Sequence, residues 1–307
     1  MGVVVWYVVQ HGFRRLVQGS RQPRAAVTIV AALVAGGVLS FWYYPALAQQ
    51  LSPKEVFEAY ARLHGPDEPL ALVGVRSRTA AYYSGGEVES FSDAGRAFTW
   101  LTERMDQRRW LVVKSDDLPK LNSLYRKQVG RNLPVLDGRS SQILLVSNQL
   151  GEHRNESWLT SILLDDPVEP AHRVDALFED QLQVLGWEII DRSGRPVADV
   201  VPQTKYRMRF FYKVLRPITG SWKAFIHIDG FQRRFNGDHA VLDGKYPMSL
   251  WQPDDVIVDD AEIQLEPNFT PGDYTVFFGF FAGESRFRVT RGPNHENRVN
   301  GGALRVR

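Results

Sequence analysis

The stretch KYRMRFFYKVL, residues 205–215, alternates between two kinds of side chain. One side carries large apolar groups and the other positive charges: Tyr206, Met208, Phe210, Tyr212 and Val214 against Lys205, Arg207, Arg209 and Lys213. A period of two is typical of a β-strand with one buried face. DYTVFFGFF, residues 273–281, repeats the pattern after a Pro-Gly turn, and later segments continue it with outward arginines. Short alternating strands separated by turns predict an antiparallel, jelly-roll-like β-sandwich over residues 173–307.

An aspartate-rich segment, GDHAVLDGKYPMSLWQPDDVIVDD at residues 237–260, lies inside this predicted sandwich. The strand before it, WKAFIHID, ends with a histidine and an aspartate on one face. If the segment folds back onto that face, its acidic and imidazole groups supply metal ligands or hydrogen bonds to a sugar. The candidate ligand residues are His227, Asp229, Asp238, His239 and Asp243.

The alternative for this segment is structural. Aspartates often form turns and accept hydrogen bonds from nearby backbone donors. Tyr246 and Trp251 would then pack against the sandwich. The spacing matches no defined metal motif, which favours this alternative. We therefore predict no metal ion and no cofactor, and retain the five candidates only as possible ligand contacts.

Residues 49–162 show a different pattern, in which short apolar runs alternate with helical periodicity. ALVGV at residues 71–75 and RWLVV at residues 109–113 indicate buried strands. Two amphipathic helices are indicated by apolar residues at helical spacing: Ala94, Ala97, Phe98, Leu101 and Met105, then Leu118, Leu121, Tyr125 and Val129. Residues 133–148 add two strands around an Asp-Gly turn. This order predicts a small α/β domain with helices covering a sheet.

The segment LLDDPVEPAH, residues 163–172, is rich in proline and acidic residues and is predicted to be an interdomain linker. The predicted α/β domain carries no nucleophile elbow, no phosphate-binding glycine loop and no histidine pair at metal spacing. YYSGGEVES, residues 82–90, lacks the lysine of a phosphate loop and is predicted to be a turn. No catalytic residue is predicted, and whether the chain is part of an enzyme stays open.

Residues 25–48 are predicted to form a transmembrane helix. No charged residue occurs between Arg24 and Lys54, and about 20 apolar or small residues suffice to cross a bilayer core. An aromatic cluster, Phe41 to Tyr44, marks one interface, and Pro45 is predicted to end the helix there.

Arginines before this helix place residues 1–24, which include a partial apolar segment, in the cytoplasm. The chain is then a single-pass protein of the inner (cytoplasmic) membrane with its C-terminal domains outside. The alternative is a cleaved signal peptide, because ALA at residues 46–48 resembles a signal-peptidase site. Either alternative exports both domains.

Composition excludes several classes of function. Lys and Arg number 37 against 35 Asp and Glu, so the formal charge of +2 gives no general attraction to nucleic acid. The absence of cysteine excludes disulfides, thiolate zinc sites and cysteine nucleophiles.

The run FIHIDG…GDHAVLDGKYPMSLWQPDDVIVDDAEIQL…PGDYTVFFGFFAGESRFRV resembles the C-terminal extracytoplasmic β-domain of bacterial GT-C class membrane glycosyltransferases. These polyprenyl-phosphate-dependent enzymes are related to protein O-mannosyltransferases and aminoarabinose transferases. YYPALAQQLSPKEVF resembles their last membrane span and the entry to their periplasmic α/β domain, and the likeness covers most of residues 25–307. In that family the catalytic carboxylate lies in an extracytoplasmic loop near the N-terminus of a bundle of many spans. This chain shows no counterpart of that loop, so none of its residues inherits the catalytic role.

Two functional hypotheses follow from the resemblance and from the residues. The chain is either the extracytoplasmic, non-catalytic portion of a polyprenyl-phosphate-dependent sugar transferase, acting with a multi-span subunit, or a membrane-anchored envelope protein whose β-sandwich binds a glycan or another protein. The expected partners are the lipid bilayer and one of these molecules, not nucleic acid.

Overall fold

The computed structural model describes residue 11 and residues 23–51, 53–75, 78–84 and 88–307. The predicted cytoplasmic flank lies outside the described residues except for His11, Pro23 and Arg24, and the predicted glycine turn is described only in part. The described chain forms one apolar helix, then a mixed α/β unit, then antiparallel sheets that resemble a β-sandwich. These features confirm the predicted fold class at that level.

The apolar helix begins as α1, Pro23–Val38, continues through a π-helical turn, Leu39–Tyr43, and ends as α2, Tyr44–Leu51. Its segment Thr28–Ala48 is long and apolar enough to cross a membrane, with a mean hydropathy of 1.6 and no buried part. Both a single anchor and a signal sequence satisfy this description. The prediction that Pro45 ends the helix is wrong. Proline is accommodated there because the π turn before it already interrupts the α-helical hydrogen-bond register, with the Tyr44 N–H bonded to the Leu39 carbonyl.

The α/β unit contains a five-stranded sheet in the order β2-β1-β3-β5-β4. The strands are β1 Leu70–Val73, β2 Glu89–Phe91, β3 Trp110–Lys114, β4 Val135–Asp137 and β5 Ile143–Ser147. The helices are α3 Lys54–Leu63, α4 Arg78–Ser84, α5 Ala94–Thr102 and α6 Leu118–Val129. Strands β1, β2 and β3 run parallel, while β5 is antiparallel to β3 and β4. The exposed strand β2 was not predicted, because it lacks the apolar run that marks the others.

The β-rich region forms a six-stranded sheet, ordered β17-β7-β8-β10-β14-β6, and an eight-stranded sheet with the main order β12-β11-β15-β19-β18. Their strands are β6 Leu163–Leu164, β7 His172–Phe178, β8 Leu182–Ile190, β9 Asp199–Val200, β10 Tyr206–Val214, β11 Lys223–Gly230, β12 Arg233–Asn236, β13 His239–Ala240, β14 Val256–Ile263, β15 Gly272–Ala282, β16 Ser285–Arg286, β17 Val289–Arg291, β18 Asn294–His295 and β19 Arg298–Val306. Short 3-10 turns occur at Ser115–Asp117, Trp158–Ser161, Val241–Gly244 and Met248–Leu250.

The two sheets pack through the apolar faces that the alternation predicts. Phe210 of β10 lies 4.7 Å from Phe278 of β15 between ring centroids, and Tyr212 lies 5.3 Å from Phe280. All four side chains are buried. Aromatic packing at these distances adds to the stabilisation from burial.

The junction between the α/β unit and the sandwich is tightly packed. Buried Arg126 of α6 contacts Asp255 at 2.5 Å and Asp165 at 2.6 Å. Leu163 and Leu164, at the start of the predicted linker, form β6 and pair with β14. The prediction of a plain linker therefore does not hold for residues 163–164, because apolar side chains there complete the edge of the six-stranded sheet. The division into two domains stays a prediction.

We predict that Arg126→Met destabilises the protein by about 3–5 kcal/mol, because it leaves the carboxylate of Asp255 buried without its cation. The matched control is Lys127→Met on the exposed face of the same helix, which we expect to change stability by less than about 0.5 kcal/mol. The measurement is urea unfolding of the solubilised chain followed by tryptophan fluorescence. Equal effects of the two substitutions would contradict the structural importance of this ion pair.

Candidate functional site

The five candidate ligand residues do not form one group. Strand β11 directs His227 and Asp229 to the outer face of the eight-stranded sheet, whereas its buried Ala224 and Ile226 face the core. His239 pairs with Ala224 across β13 and β11 and so points inward. Among the residues that the structure describes, no group of three His, Asp or Glu side chains is placed to hold a metal ion. The strand alternation itself separates His239 from His227 and Asp229.

Most aspartates of residues 237–260 pair with cations rather than with turn backbone. Asp238 and Asp243 are exposed, and Asp243 contacts Lys245 at 3.3 Å. The pairs of the others are Asp254 with Lys213, Asp255 with Arg126, Asp259 with His239, and Asp260 with Arg207 and Arg209. Two of them also accept backbone hydrogen bonds, Asp255 from Gln252 at 2.8 Å and Asp259 from Leu242 at 2.8 Å. In the structure the aspartates of this segment therefore form mainly ion pairs rather than the expected turn caps.

The aromatic residues of this segment are buried as predicted. Trp251 is 1% exposed and Tyr246 is fully buried. The Trp251 indole N–H donates to the Tyr246 carbonyl at 3.2 Å, and the Tyr246 hydroxyl donates to the Leu250 carbonyl at 3.2 Å. Each polar atom of these rings therefore keeps a partner inside the core.

His239 and Asp259 form a buried charged pair. The His239 Nε2 lies 3.0 Å from Asp259 Oδ2, and Nδ1 lies 3.0 Å from the Gly237 carbonyl oxygen. Both ring nitrogens thus face acceptors, which favours the doubly protonated imidazolium. Burial alone would lower the pKa of His239, but the hydrogen bond and charge of Asp259 outweigh it and raise the pKa.

The strongest candidate site is a row of side chains across the outer face of the eight-stranded sheet. His227 of β11 is the cross-strand partner of Asn236 on β12 and of Phe277 on β15. Phe277 is in turn the partner of Asn300 on β19. The row therefore spans four adjacent strands, about 14 Å at the usual strand spacing. We call these four residues the sheet-face row.

His227 has unused hydrogen-bonding capacity in this row. Its side chain is half-buried, and its Nδ1 is buried with no partner. Burial lowers the pKa of His227, and the nearby charge of Arg234 lowers it further. A neutral imidazole offers one donor and one acceptor. Because Nδ1 itself is shielded from solvent, a ligand contacts His227 through the exposed part of the ring.

Charged groups flank the row. Asp229 accepts two hydrogen bonds from Arg234, at 2.7 and 2.6 Å, and lies 3.6 Å from Arg298. The Arg298 guanidinium also lies over the Phe277 ring, 4.6 Å from its centroid. These contacts hold the guanidinium in a defined plane.

A groove of about 460 Å³ opens at one end of the row. Its lining residues are Phe277, Pro293, Asn294, His295, Arg298 and Asn300. An aromatic ring, two amides and a guanidinium therefore converge on one space, which is typical of a site for a polar organic ligand.

A larger cavity, about 600 Å³, lies in the α/β unit beside Tyr60, His64 and Glu68. Two of its polar side chains already have partners. Glu68 accepts from the Gly65 N–H at 2.9 Å and from the Trp110 indole at 2.7 Å. The His64 Nδ1 bonds the Tyr60 carbonyl at 2.8 Å. We favour the sheet-face row, because an aromatic ring, two amides and a guanidinium converge on the groove at its end.

Sequence reasoning identified His227 and Asp229 but missed Phe277, Arg298 and Asn300. The available signal was the second aromatic phase of DYTVFFGFF, because Phe277 stands between the core residues Val276 and Phe278 and must face outward. The pairing register that brings these residues together is not visible in any one strand.

Comparisons with known proteins give only distant similarity. No protein-family model matches the sequence, and no curated protein matches it. Among solved structures, the C-terminal domain of Wzt is 15% identical and aligns over 47% of this chain and 88% of its own, with a TM-score of 0.32. A Niemann-Pick type C2 protein from Japanese carpenter ant is 7% identical and aligns over 46% of this chain and 100% of its own, with a TM-score of 0.26. The CARDB domain of the Pyrococcus furiosus PF1109 protein is 12% identical and aligns over 46% of this chain and 95% of its own, with a TM-score of 0.23. Similarities this distant indicate no function.

We predict that Trp251→Ala destabilises the protein by about 3–5 kcal/mol, because it removes a buried indole and leaves a cavity. Asp243→Asn is the control in the same segment, and loss of its exposed pair with Lys245 should cost less than about 1 kcal/mol. Chemical unfolding of both variants checks this difference. A small loss for Trp251→Ala would show that the segment does not belong to the folding core.

Stability should also depend on pH through His239. Because the folded-state pKa is raised, the stabilisation is fully present below about pH 6.5 and disappears as the pH rises through the folded pKa. His239→Gln retains a donor but no charge, so its unfolding free energy should change less between about pH 6 and pH 9. Parallel pH profiles for the two proteins would rule out a charged His239.

Proposed function

We propose that this chain is a membrane-tethered protein of the cell envelope whose β-sandwich binds an oligosaccharide across the sheet-face row. The observation that carries the proposal is the alignment of Asn236, His227, Phe277 and Asn300 on four adjacent strands, with a groove at one end of the row. Oligosaccharides present hydroxyls and apolar C–H faces together. A row of imidazole, amide and aromatic groups complements both.

The length of the row supports an extended ligand. Its four residues lie on four neighbouring strands, and Phe277, His227 and Asn300 are each half-buried. A half-buried side chain keeps one side accessible while its neighbours hold its rotamer. Such a surface is organised before the ligand arrives, which reduces the entropy lost on binding.

The location is part of the proposal. The Thr28–Ala48 helix is proposed as a single anchor in the inner membrane, with the α/β unit and a jelly-roll-like sandwich outside the cytoplasm. The bilayer is then a permanent partner, and the binding face lies within reach of envelope glycans.

A second candidate is the extracytoplasmic, non-catalytic portion of a polyprenyl-phosphate-dependent glycosyltransferase. Its support is the sequence resemblance centred on residues 237–260. The residues that carry this resemblance include Tyr246, Trp251 and Asp255, which are buried. They support a shared scaffold, and oligosaccharide binding is compatible with either candidate. Crosslinking in native membranes distinguishes them, since only the transferase portion requires a multi-span partner.

We predict that Phe277→Ala and His227→Ala each weaken oligosaccharide binding by about tenfold or more, because each removes a central contact of the row. Phe231→Ala is the control, since Phe231 is a 60% exposed ring in the turn between β11 and β12, outside the row. The measurement uses the 307-residue chain in detergent, first on a glycan array and then by calorimetry with the best oligosaccharide. If no neutral or acidic oligosaccharide binds, the proposed function is wrong.

A further inference from the structure

The charge balance beside the sheet-face row is uneven. Arg234 and Arg298 share one carboxylate, that of Asp229, and the closer bonds belong to Arg234. Arg298 is only 8% exposed and lies 3.6 Å from the carboxylate that Arg234 already binds. Two guanidiniums and one carboxylate leave one positive charge in a partly desolvated place.

The other contacts of Arg298 do not neutralise it. Its Nη2 lies 3.0 Å from His295 Nδ1, and its Nε donates to the His295 carbonyl at 3.4 Å. Its remaining contact is the Phe277 ring. Glu296 is a nearby carboxylate, but its side chain is 70% exposed and lies 3.8 Å from His295 rather than against Arg298. A solvated carboxylate at that distance is strongly screened.

We propose that the groove beside Phe277 binds an acidic sugar residue, of the uronic acid type, whose carboxylate pairs with Arg298. This inference rests on the proposed function and specifies the chemistry of its ligand. The Phe277 ring holds the guanidinium plane, so the groove presents a flat cation. A planar carboxylate matches that geometry better than any neutral sugar hydroxyl does.

The surroundings of the groove suit the rest of such a residue. Asn294 and Asn300 line the same space and supply amide donors and acceptors for ring hydroxyls. Arg286 adds a second cation on this face of the sheet, because it is exposed and lies over the Phe225 ring at 5.6 Å. Gly279 makes this arrangement possible, since a Cβ there would lie 2.8 Å from the Phe225 ring. The exposed carboxylate of Asp238 lies near His227 and does not line the groove.

The test compares a uronic acid oligosaccharide with its own methyl ester, which removes the charge and keeps the sugar. The full chain is titrated with both by calorimetry in detergent micelles. We expect the acid to bind at least about tenfold more tightly than the ester, and this preference to shrink in high salt. Arg298→Gln should bind acid and ester equally. Arg286→Gln, at an exposed position, should reduce the preference without affecting folding. Arg216→Gln, exposed in the loop after β10 of the other sheet, should leave it unchanged.

Each alternative outcome has a distinct meaning. Equal binding of acid and ester by the native chain, or binding of neutral oligosaccharides alone, overturns the acidic-sugar inference and leaves the proposed function intact. Binding of neither acidic nor neutral oligosaccharides overturns both. Oligoglutamate peptide that binds as tightly as the uronic acid oligosaccharide and competes with it would show that the groove takes acidic peptides. If Arg298→Gln does not fold, two measurements still test the acidic-sugar inference. These are the preference of Arg286→Gln for the acid over the ester and the salt dependence of that preference in the native chain.

Discussion

Two buried carboxylates determine how the C-terminal half of this protein is assembled. Asp255 and Asp259 are 2% and 0% exposed, and a buried carboxylate is stable only beside a cation and hydrogen-bond donors. Arg126 satisfies the first from a helix of the α/β unit, and His239 satisfies the second from the neighbouring sheet. The segment between His239 and Asp259 must therefore lie where both cations are within reach, which places it over the junction of the two units.

The backbone of this segment shows how strongly that requirement acts. Leu242 and Asp243 adopt positive φ angles of 52° and 54°, a conformation that side chains other than glycine, asparagine and aspartate rarely adopt. The Leu242 N–H donates to Asp259 at 2.8 Å, so the strained turn delivers a donor to the buried carboxylate. Tyr246 and Trp251, which follow this turn, are buried. The packing of the segment and its ion pairs therefore favour the same backbone path.

Sequence reasoning was most successful where a local period carries the information. The alternation in residues 205–215 predicted the inner face of β10, and the helical spacing from Ala94 and from Leu118 predicted α5 and α6. It failed where the outcome depends on contacts between distant segments. The pairs Arg126 with Asp255 and Phe277 with His227 join residues that are far apart or in separate strands, and nothing within either segment specifies its partner. The candidate site was therefore only half predicted, since His227 and Asp229 follow from one strand but Phe277, Arg298 and Asn300 require the register of the sheet.

The two histidines of this region show how position on a strand decides chemistry. His227 and His239 lie on paired strands of one sheet, yet burial lowers the pKa of His227, whereas Asp259 raises the pKa of His239. His239 faces inward and meets a carboxylate that uses its charge for stability. His227 faces outward between Phe277 and Asn236, where burial favours its neutral form and its Nδ1 has no hydrogen-bond partner. The alternation of side chains along the strands thus places His239 against a carboxylate and His227 on the opposite face of the same sheet.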